Sequence, residues 1–223
     1  MSKARVREPD PAWLESFGAR MREFALLADY AGGLQHARAA LKKWPKNFYV
    51  RYQFAKMLGD GADALPKAEK KKRKREALRI LAPLTRCLSG KDAALRVGVC
   101  INFYYQSEDF LGMARYGRRI SRTGDRHGYY ALGVGAAFLA QSRWNAHKKA
   151  TAQSWAQESL DAWKRYNLKR ERYYFAHYCA ALAAGVAGKI SDGRKHLAAA
   201  ARLSGKPQTD WEFADALALL EAK

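Results

Sequence analysis

Apolar residues along this chain recur at spacings of three and four. Phe48, Tyr52, Ala55 and Leu58 form one such run; Val97, Cys100, Ile101 and Tyr104 form a second; Tyr174, Tyr178, Ala181 and Leu182 form a third. A helix places residues so spaced on one side, where they can be buried together. No stretch keeps a period of two, so no strand is expected. Asn47, Asp92 and Asp210 suit helix N-caps, because a short side-chain oxygen can accept from a free first-turn N–H. Pro11 suits the first turn of a helix over 10–29, and Pro45 after Trp44 suits a helix end. A last helix is expected over 210–222.

A phrase recurs between the helical runs. A small or polar pair is followed by an apolar residue, two spacers and a small or medium residue. Gly32-Gly33 precedes Leu34 and Ala37, Glu108-Asp109 precedes Phe110 and Met113, Ser142-Arg143 precedes Trp144 and His147, and Gly188-Lys189 precedes Ile190 and Gly193. One instance, ending at Ala77, lacks the short turn because a charged, Lys-rich insertion over 59–75 intervenes. Ala37, Ala77, Met113, His147 and Gly193 are separated by 40, 36, 34 and 46 residues. The longer intervals are assigned to the Lys-rich stretch and to a long helix through 146–167. Each unit reads as a helical hairpin, which cannot bury its apolar side alone and must stack on its neighbours. The helix over 10–29 and the last helix are expected at the two ends of the stack.

At these residues the chain resembles the tetratricopeptide repeat family, whose period is about 34 residues. The first helix of the second repeat offers Arg51, Phe54-Ala55 and Leu58, and that of the fourth offers Ala131, Val134-Gly135 and Phe138. On second helices, Ala37 and Ala77 suit the close helix crossing. Phe110, Trp144 and Ile190 suit the apolar position before it, and Pro45 matches the terminal proline once. Met113 and His147 are larger than the family prefers there, and the Trp-Leu-Gly-Tyr signature is never complete. The resemblance spans about residues 20–205 and implies an all-α, right-handed superhelical solenoid of about five hairpins. The domain would run over 10–223, after a flexible basic N-terminus over 1–9.

The resemblance also implies a concave groove lined by the first helices. Tyr49, Tyr52, Gln53 and Lys56 would face it in the second repeat, and Asn102, Tyr105 and Gln106 in the third. Tyr129 would do so in the fourth, and Phe175, Tyr178 and Cys179 in the fifth. Lys56 and Asn102 match two residue types with which family members grip a C-terminal carboxylate; the other cations of that clamp are missing. Aromatics with amides suit a peptide held by apolar anchors and backbone hydrogen bonds.

Charge sharpens the expected partner. The 223 residues hold 41 Lys and Arg against 21 Asp and Glu, a formal charge of +20. Such an excess attracts polyanions: nucleic acid, an anionic membrane face or an acidic protein surface. The densest run has eight cations, Lys67, Lys70, Lys71, Lys72, Arg73, Lys74, Arg75 and Arg79, against Glu69 and Glu76. It suits phosphates or an acidic patch, or is a solvated helix extension; it also resembles a nuclear-localisation run. Arg115, Arg118, Arg119 and Arg122 can share one helix side. Lys164, Arg165, Lys169, Arg170 and Arg172 crowd a helix end, where the helix dipole favours cations.

Catalysis is not expected. His36, His127, His147, His177 and His196 form no HExxH or other metal spacing, and His177 and Cys179 diverge on a helix. The chain contains no P-loop and no GxGxxG, so no cofactor is expected either. Gly133 and Gly135 read as sites of close helix approach. Cys87, Cys100 and Cys179 make no CxxC pair, which points away from a disulfide framework. Residues 1–10 carry no apolar h-region, and the apolar stretch 129–140 is too short for a membrane span, so a cytoplasmic protein is expected. The expected function is a non-enzymatic protein–protein scaffold that holds a peptide or helix of an acidic partner. The alternative is a nucleic-acid-associated helical-repeat protein that sets its basic patches against phosphates.

Overall fold

The computed structural model describes residues 8–27, 29–86, 93–168 and 173–221. Among them the chain forms eleven α-helices and no strand. They run α1 Pro11–Leu26, α2 Tyr30–Lys43, α3 Phe48–Asp60, α4 Lys67–Leu84, α5 Ala93–Gln106, α6 Phe110–Ser121, α7 Arg126–Asn145, α8 Lys149–Tyr166, α9 Tyr174–Ala187, α10 Ile190–Ser204 and α11 Ala214–Glu221. A 3₁₀ turn, Trp211–Phe213, leads into α11. The chain divides into two compact units, α1–α4 and α5–α11. Among the described residues no helix is long and apolar enough to cross a membrane. The expected cap Asp92, Cys87, the cations Lys169, Arg170 and Arg172, and residues 1–7 of the N-terminal stretch lie outside the described residues.

Helices α1, α2, α3, α6 and α7 begin where a short polar side chain caps them. Asp10 Oδ1 accepts from Ala12 N at 2.7 Å ahead of Pro11, and Asn47 Oδ1 accepts from Val50 N at 3.1 Å at the start of α3. Asp210 Oδ1 accepts from Glu212 N at 3.0 Å and so starts the 3₁₀ turn rather than α11 itself. Each such cap satisfies one of the orphan N–H groups and is worth about 1 kcal/mol.

In the first unit α2 packs on α1, α3 on α2 and α4 on α3. Phe17 and Met21 of α1 meet Leu34 and Ala37 of α2, Val50, Phe54 and Met57 of α3, and Ala77 of α4 in one core. In the second unit α7 packs against α5, α6, α8 and α9, while α9 packs against α7, α8, α10 and α11. Each hairpin therefore buries the next. Helix α9 is buried along nearly its whole length, from Tyr174 to Val186, as a helix enclosed on all sides must be. Fully buried Leu182 and Leu197 each contribute about 1.5–3 kcal/mol of apolar burial.

Three hairpins of the second unit close in one way. Glu108, His147 and Gly188 take φ of 57°, 57° and 76°, the left-handed conformation that ends a helix. The next residue then donates its N–H five residues back: Asp109 to Tyr104 O at 3.0 Å, Lys148 to Arg143 O at 2.9 Å, and Lys189 to Ala184 O at 2.9 Å. That same residue occupies the N-cap position of the following helix, with φ, ψ of −84°, 69°, then −91°, 63°, then −86°, 64°. In the first unit Asp29 repeats the pattern, with N–H to Phe24 O at 2.9 Å and φ, ψ of −81°, 70°.

These turns correct two sequence expectations. Gly32-Gly33 is not a turn but the first turn of α2, where Gly32 N donates to Asp29 Oδ1 at 2.9 Å. Ser142-Arg143 lies inside α7, and His147 is the exposed turn residue before α8; Ala152, fully buried, takes the crossing position expected for it. Ala37, Ala77, Met113 and Gly193 are buried, but in α2 it is Gly33, three residues past the helix start as Met113 and Gly193 are, that takes the close-approach position assigned to Ala37. The stretch 59–75 is not a loop throughout. It ends α3, turns over 61–66 and from Lys67 forms the first half of α4.

Candidate functional site

The first helices α5, α7 and α9 bring three partly buried aromatic rings together. Tyr105 of α5 lies 5.9 Å from Phe138 of α7 and 5.4 Å from Phe175 of α9, and Phe138 lies 6.2 Å from Phe175. Phe110 of α6 stacks on Phe138 at 4.5 Å. Edge-to-face and offset pairs of this kind each add about 0.5–1.5 kcal/mol beyond their burial. The rings are only partly covered by the core of the second unit. Such half-covered aromatics are the side chains that anchor peptides at interfaces.

Helix spacing on this part of the chain makes the cluster possible. Tyr105 sits in the last turn of α5, beside the hairpin turn that starts α6 at Phe110. Phe138 follows the α7 segment from Ala131 to Ala137, where small residues are fully enclosed. Phe175 is the second residue of α9, after Tyr174, which faces inward to Phe213 at 6.3 Å. Neighbouring positions on α9 thus divide between the core and the cluster.

The residues expected to line a groove divide in the same way. Tyr52 and Gln53, each 8% exposed, and Gln106, 2% exposed, are core. Burial pushes the Tyr52 hydroxyl up to about 12, so it stays protonated. Tyr178 is core as well, against Phe213 at 6.1 Å, and burial raises its hydroxyl. Burial likewise raises the fully enclosed Cys179 thiol well above its ordinary range. Tyr49 is partly buried against Phe17 at 6.1 Å and Tyr52 at 6.4 Å. Lys56 holds Asp60 at 2.6 Å, and Asn102 Nδ2 donates back to Gly98 O at 2.9 Å. Both side chains that match the family's carboxylate-gripping residue types are thus engaged within their own helices. Tyr129 is partly buried, with the Arg165 guanidinium over its ring at 5.9 Å. Tyr105 is the expected groove residue that joins the cluster, with Phe175 from the same reading. Phe138, placed in the sequence as a repeat position, and Phe110, placed before a crossing, complete it.

The cations also divide. Arg118 binds Glu158 through two bonds, Nε to Oε1 at 2.5 Å and Nη2 to Oε2 at 2.6 Å, and its guanidinium lies over Trp155 at 4.9 Å. It ties α6 to α8. Arg119 covers Tyr116 at 5.3 Å, while Arg115 and Arg122 are exposed. In the first unit Lys70 and Lys74 both reach Asp63, at 3.0 and 3.1 Å, and Arg73 reaches Glu69 at 3.3 Å. Lys67, Lys71, Lys72, Arg75 and Arg79 are exposed and form no ion pair among the described residues.

The titratable groups come together at one further point. His177 of α9 and His196 of α10 place their Nδ1 atoms 3.3 Å apart. Burial, then the His177 ring, hold His196 below its ordinary value; Asp192 opposes this and Lys195 adds to it. Among the described residues no group of three or more His, Cys, Asp or Glu gathers that could hold a metal ion. Comparison of the chain with protein-family models, with curated proteins and with solved structures finds no match.

Proposed function

We propose that this chain is a non-enzymatic helical-repeat adaptor of the tetratricopeptide kind, which holds a peptide or helix of an acidic partner. The observation that carries the reading is the cluster of Tyr105, Phe138 and Phe175, one ring from each of three successive first helices. Hairpins that bury one another in order, closed by one repeated turn, support the solenoid reading. Stacked first helices that share an aromatic surface offer a docking face with apolar anchors. The formal charge of +20 adds long-range attraction, which raises the association rate of an acidic segment.

Selection from a phage-displayed peptide library tests this. Enriched sequences should combine acidic residues with an aromatic or aliphatic anchor. Their synthetic peptides should lose about tenfold or more in affinity against Tyr105→Leu or Phe175→Leu, which keep apolar bulk. A library that yields no enriched peptide, or peptides indifferent to both substitutions, would remove the proposal.

A further inference from the structure

We infer that the first half of α4 is a basic helical arm that binds the sugar–phosphate backbone of nucleic acid without regard to sequence. No residue from Lys67 to Glu76 is buried; the helix meets the core only from Ala77 onward, through Ala77, Leu81 and Leu84. Ten residues of α-helix span about 15 Å. Lys70, Arg73 and Lys74 are partly covered, Lys74 most of all against Asp63, while Lys67, Lys71, Lys72, Arg75 and Glu76 are exposed.

Charge placement sets the arm apart from an ordinary solvated helix. Glu69 neutralises Arg73, and Asp63 is shared by Lys70 and Lys74. Lys67, Lys71, Arg75 and Arg79 then follow at intervals of four, with Lys72 beside them. Cations four apart on a helix repel by about 0.2–0.5 kcal/mol per pair. The sequence thus tolerates three adjacent like-charge pairs in one row, although acidic residues at alternate positions would stabilise the helix. The row advances about 6 Å per cation, against a phosphate every 3.4 Å or so along one strand. Successive cations can meet about every second phosphate.

The chemistry favours nucleic acid over an acidic protein. Protein interfaces are depleted in Lys and rely on aromatic or aliphatic anchors. Between Lys67 and Glu76 the only apolar residue is Ala68. Phosphate binding needs no anchor, because its driving force is the release of condensed counterions. This inference stands apart from the adaptor reading: it concerns α4 of the first unit, and the aromatic cluster belongs to the second.

Fluorescence anisotropy tests it with the full chain, a fluorescein-labelled 20-nucleotide oligouridine, a 20-base-pair duplex and a labelled polyglutamate of equal charge. The test variant carries Lys67→Gln, Lys71→Gln, Lys72→Gln, Arg75→Gln and Arg79→Gln. A control removes the same charge from exposed positions of α1, α2 and the turn after it, with Arg22→Gln, Arg38→Gln, Lys42→Gln, Lys43→Gln and Lys46→Gln. Circular dichroism establishes that both fold. The arm variant should lose at least about tenfold in affinity for both nucleic acids and flatten the log–log salt slope by roughly 3 to 4. The control should lose less than about threefold. Equal losses in the two variants would overturn the inference, since bulk charge would then account for the binding. So would nucleic-acid binding unchanged in the arm variant, or binding confined to polyglutamate.

Discussion

The indole of Trp163 on α8 lies flat against Gly133 on α7, so close that a Cβ at Gly133 would come within 2.5 Å of the ring. Ser159, one turn earlier on α8 and fully buried, donates its Oγ to the Gly133 carbonyl at 2.8 Å. Gly135, two residues on, faces the other way, toward α6, where a Cβ would meet Ala114 N at 2.8 Å. Successive glycines of α7 thus admit the two helices that flank it. Gly133→Ala should destabilise the chain by about 1–3 kcal/mol through overpacking, and Ser159→Ala by about 1 kcal/mol through loss of the buried bond. Urea denaturation followed by circular dichroism should show lower midpoints for both, with Gly133→Ala the lower.

His147 holds the left-handed conformation at φ 57° between α7 and α8, where its equivalent between α9 and α10 is Gly188. A side chain costs about 1–2 kcal/mol in that region, and glycine removes the cost while adding freedom to the unfolded chain. His147→Gly should therefore raise stability by roughly 0.5–1 kcal/mol, or about 1–4 °C in Tm for a chain of this size. A Tm that falls would show that the turn is not held in this conformation in solution.

The turns explain what the sequence makes legible and what it hides. Helices are legible because apolar spacing agrees with the cap expected at Asn47 and with Pro11 in the first turn of α1; the caps at Asp10 and Asp109 emerge only in the structure. The Gly32-Gly33 doublet misleads because glycine pairs usually mark turns; here Asp29 caps α2 and Gly32 supplies the N–H that it accepts. The same device recurs as Asp109 with Gly112, at 2.8 Å. Asp29-Tyr30-Ala31-Gly32 and Asp109-Phe110-Leu111-Gly112 are thus a shared phrase that single-residue turn rules pass over. The turn before α8 leaves no such mark, because His147 and Lys148 are ordinary surface residue types. The aromatic face was partly legible. Tyr52 and Tyr178 belong to the apolar runs and Tyr105 falls one residue past the run that ends at Tyr104, yet all three read as lining one groove; periodicity alone does not say which side of an enclosed helix meets a neighbour.

The His177–His196 pair gives a pH dependence with a definite sign. His196, whose ring packs on His177 between α9 and α10, is held below its ordinary value by burial and then by His177, with Asp192 opposing and Lys195 adding to the effect. The unfolded chain therefore takes up a proton at His196 near pH 6.5, before the folded chain does. Stability is full above that pH and declines as pH falls toward the lower folded value. Thermal melts should show Tm falling from pH 7.5 to 5.5, and His196→Gln should reduce that fall. An equal fall in the variant would assign the dependence to other groups.

Arg118 and Glu158 join α6 to α8 through a two-bond pair whose side chains are 39% and 30% exposed. Solvent screens such a pair, so its coupling in a double-mutant cycle with Arg118→Gln and Glu158→Gln should be about 0.5–1 kcal/mol. It should shrink at 1 M NaCl. Arg118→Lys keeps the charge and loses the fork that meets both carboxylate oxygens, so it should retain less than the full coupling. A coupling of zero at low salt would place Arg118 among the free surface cations.

The adaptor reading is tested most directly by one titration: a peptide selected on the wild-type chain, bound to wild type, to the Tyr105→Leu/Phe175→Leu double variant and to the five-glutamine α4 variant. The account predicts that the aromatic variant loses at least about tenfold in affinity while keeping its helical circular dichroism, and that the α4 variant changes modestly. Peptide affinity untouched by the aromatic variant, in a chain that still folds, would contradict it.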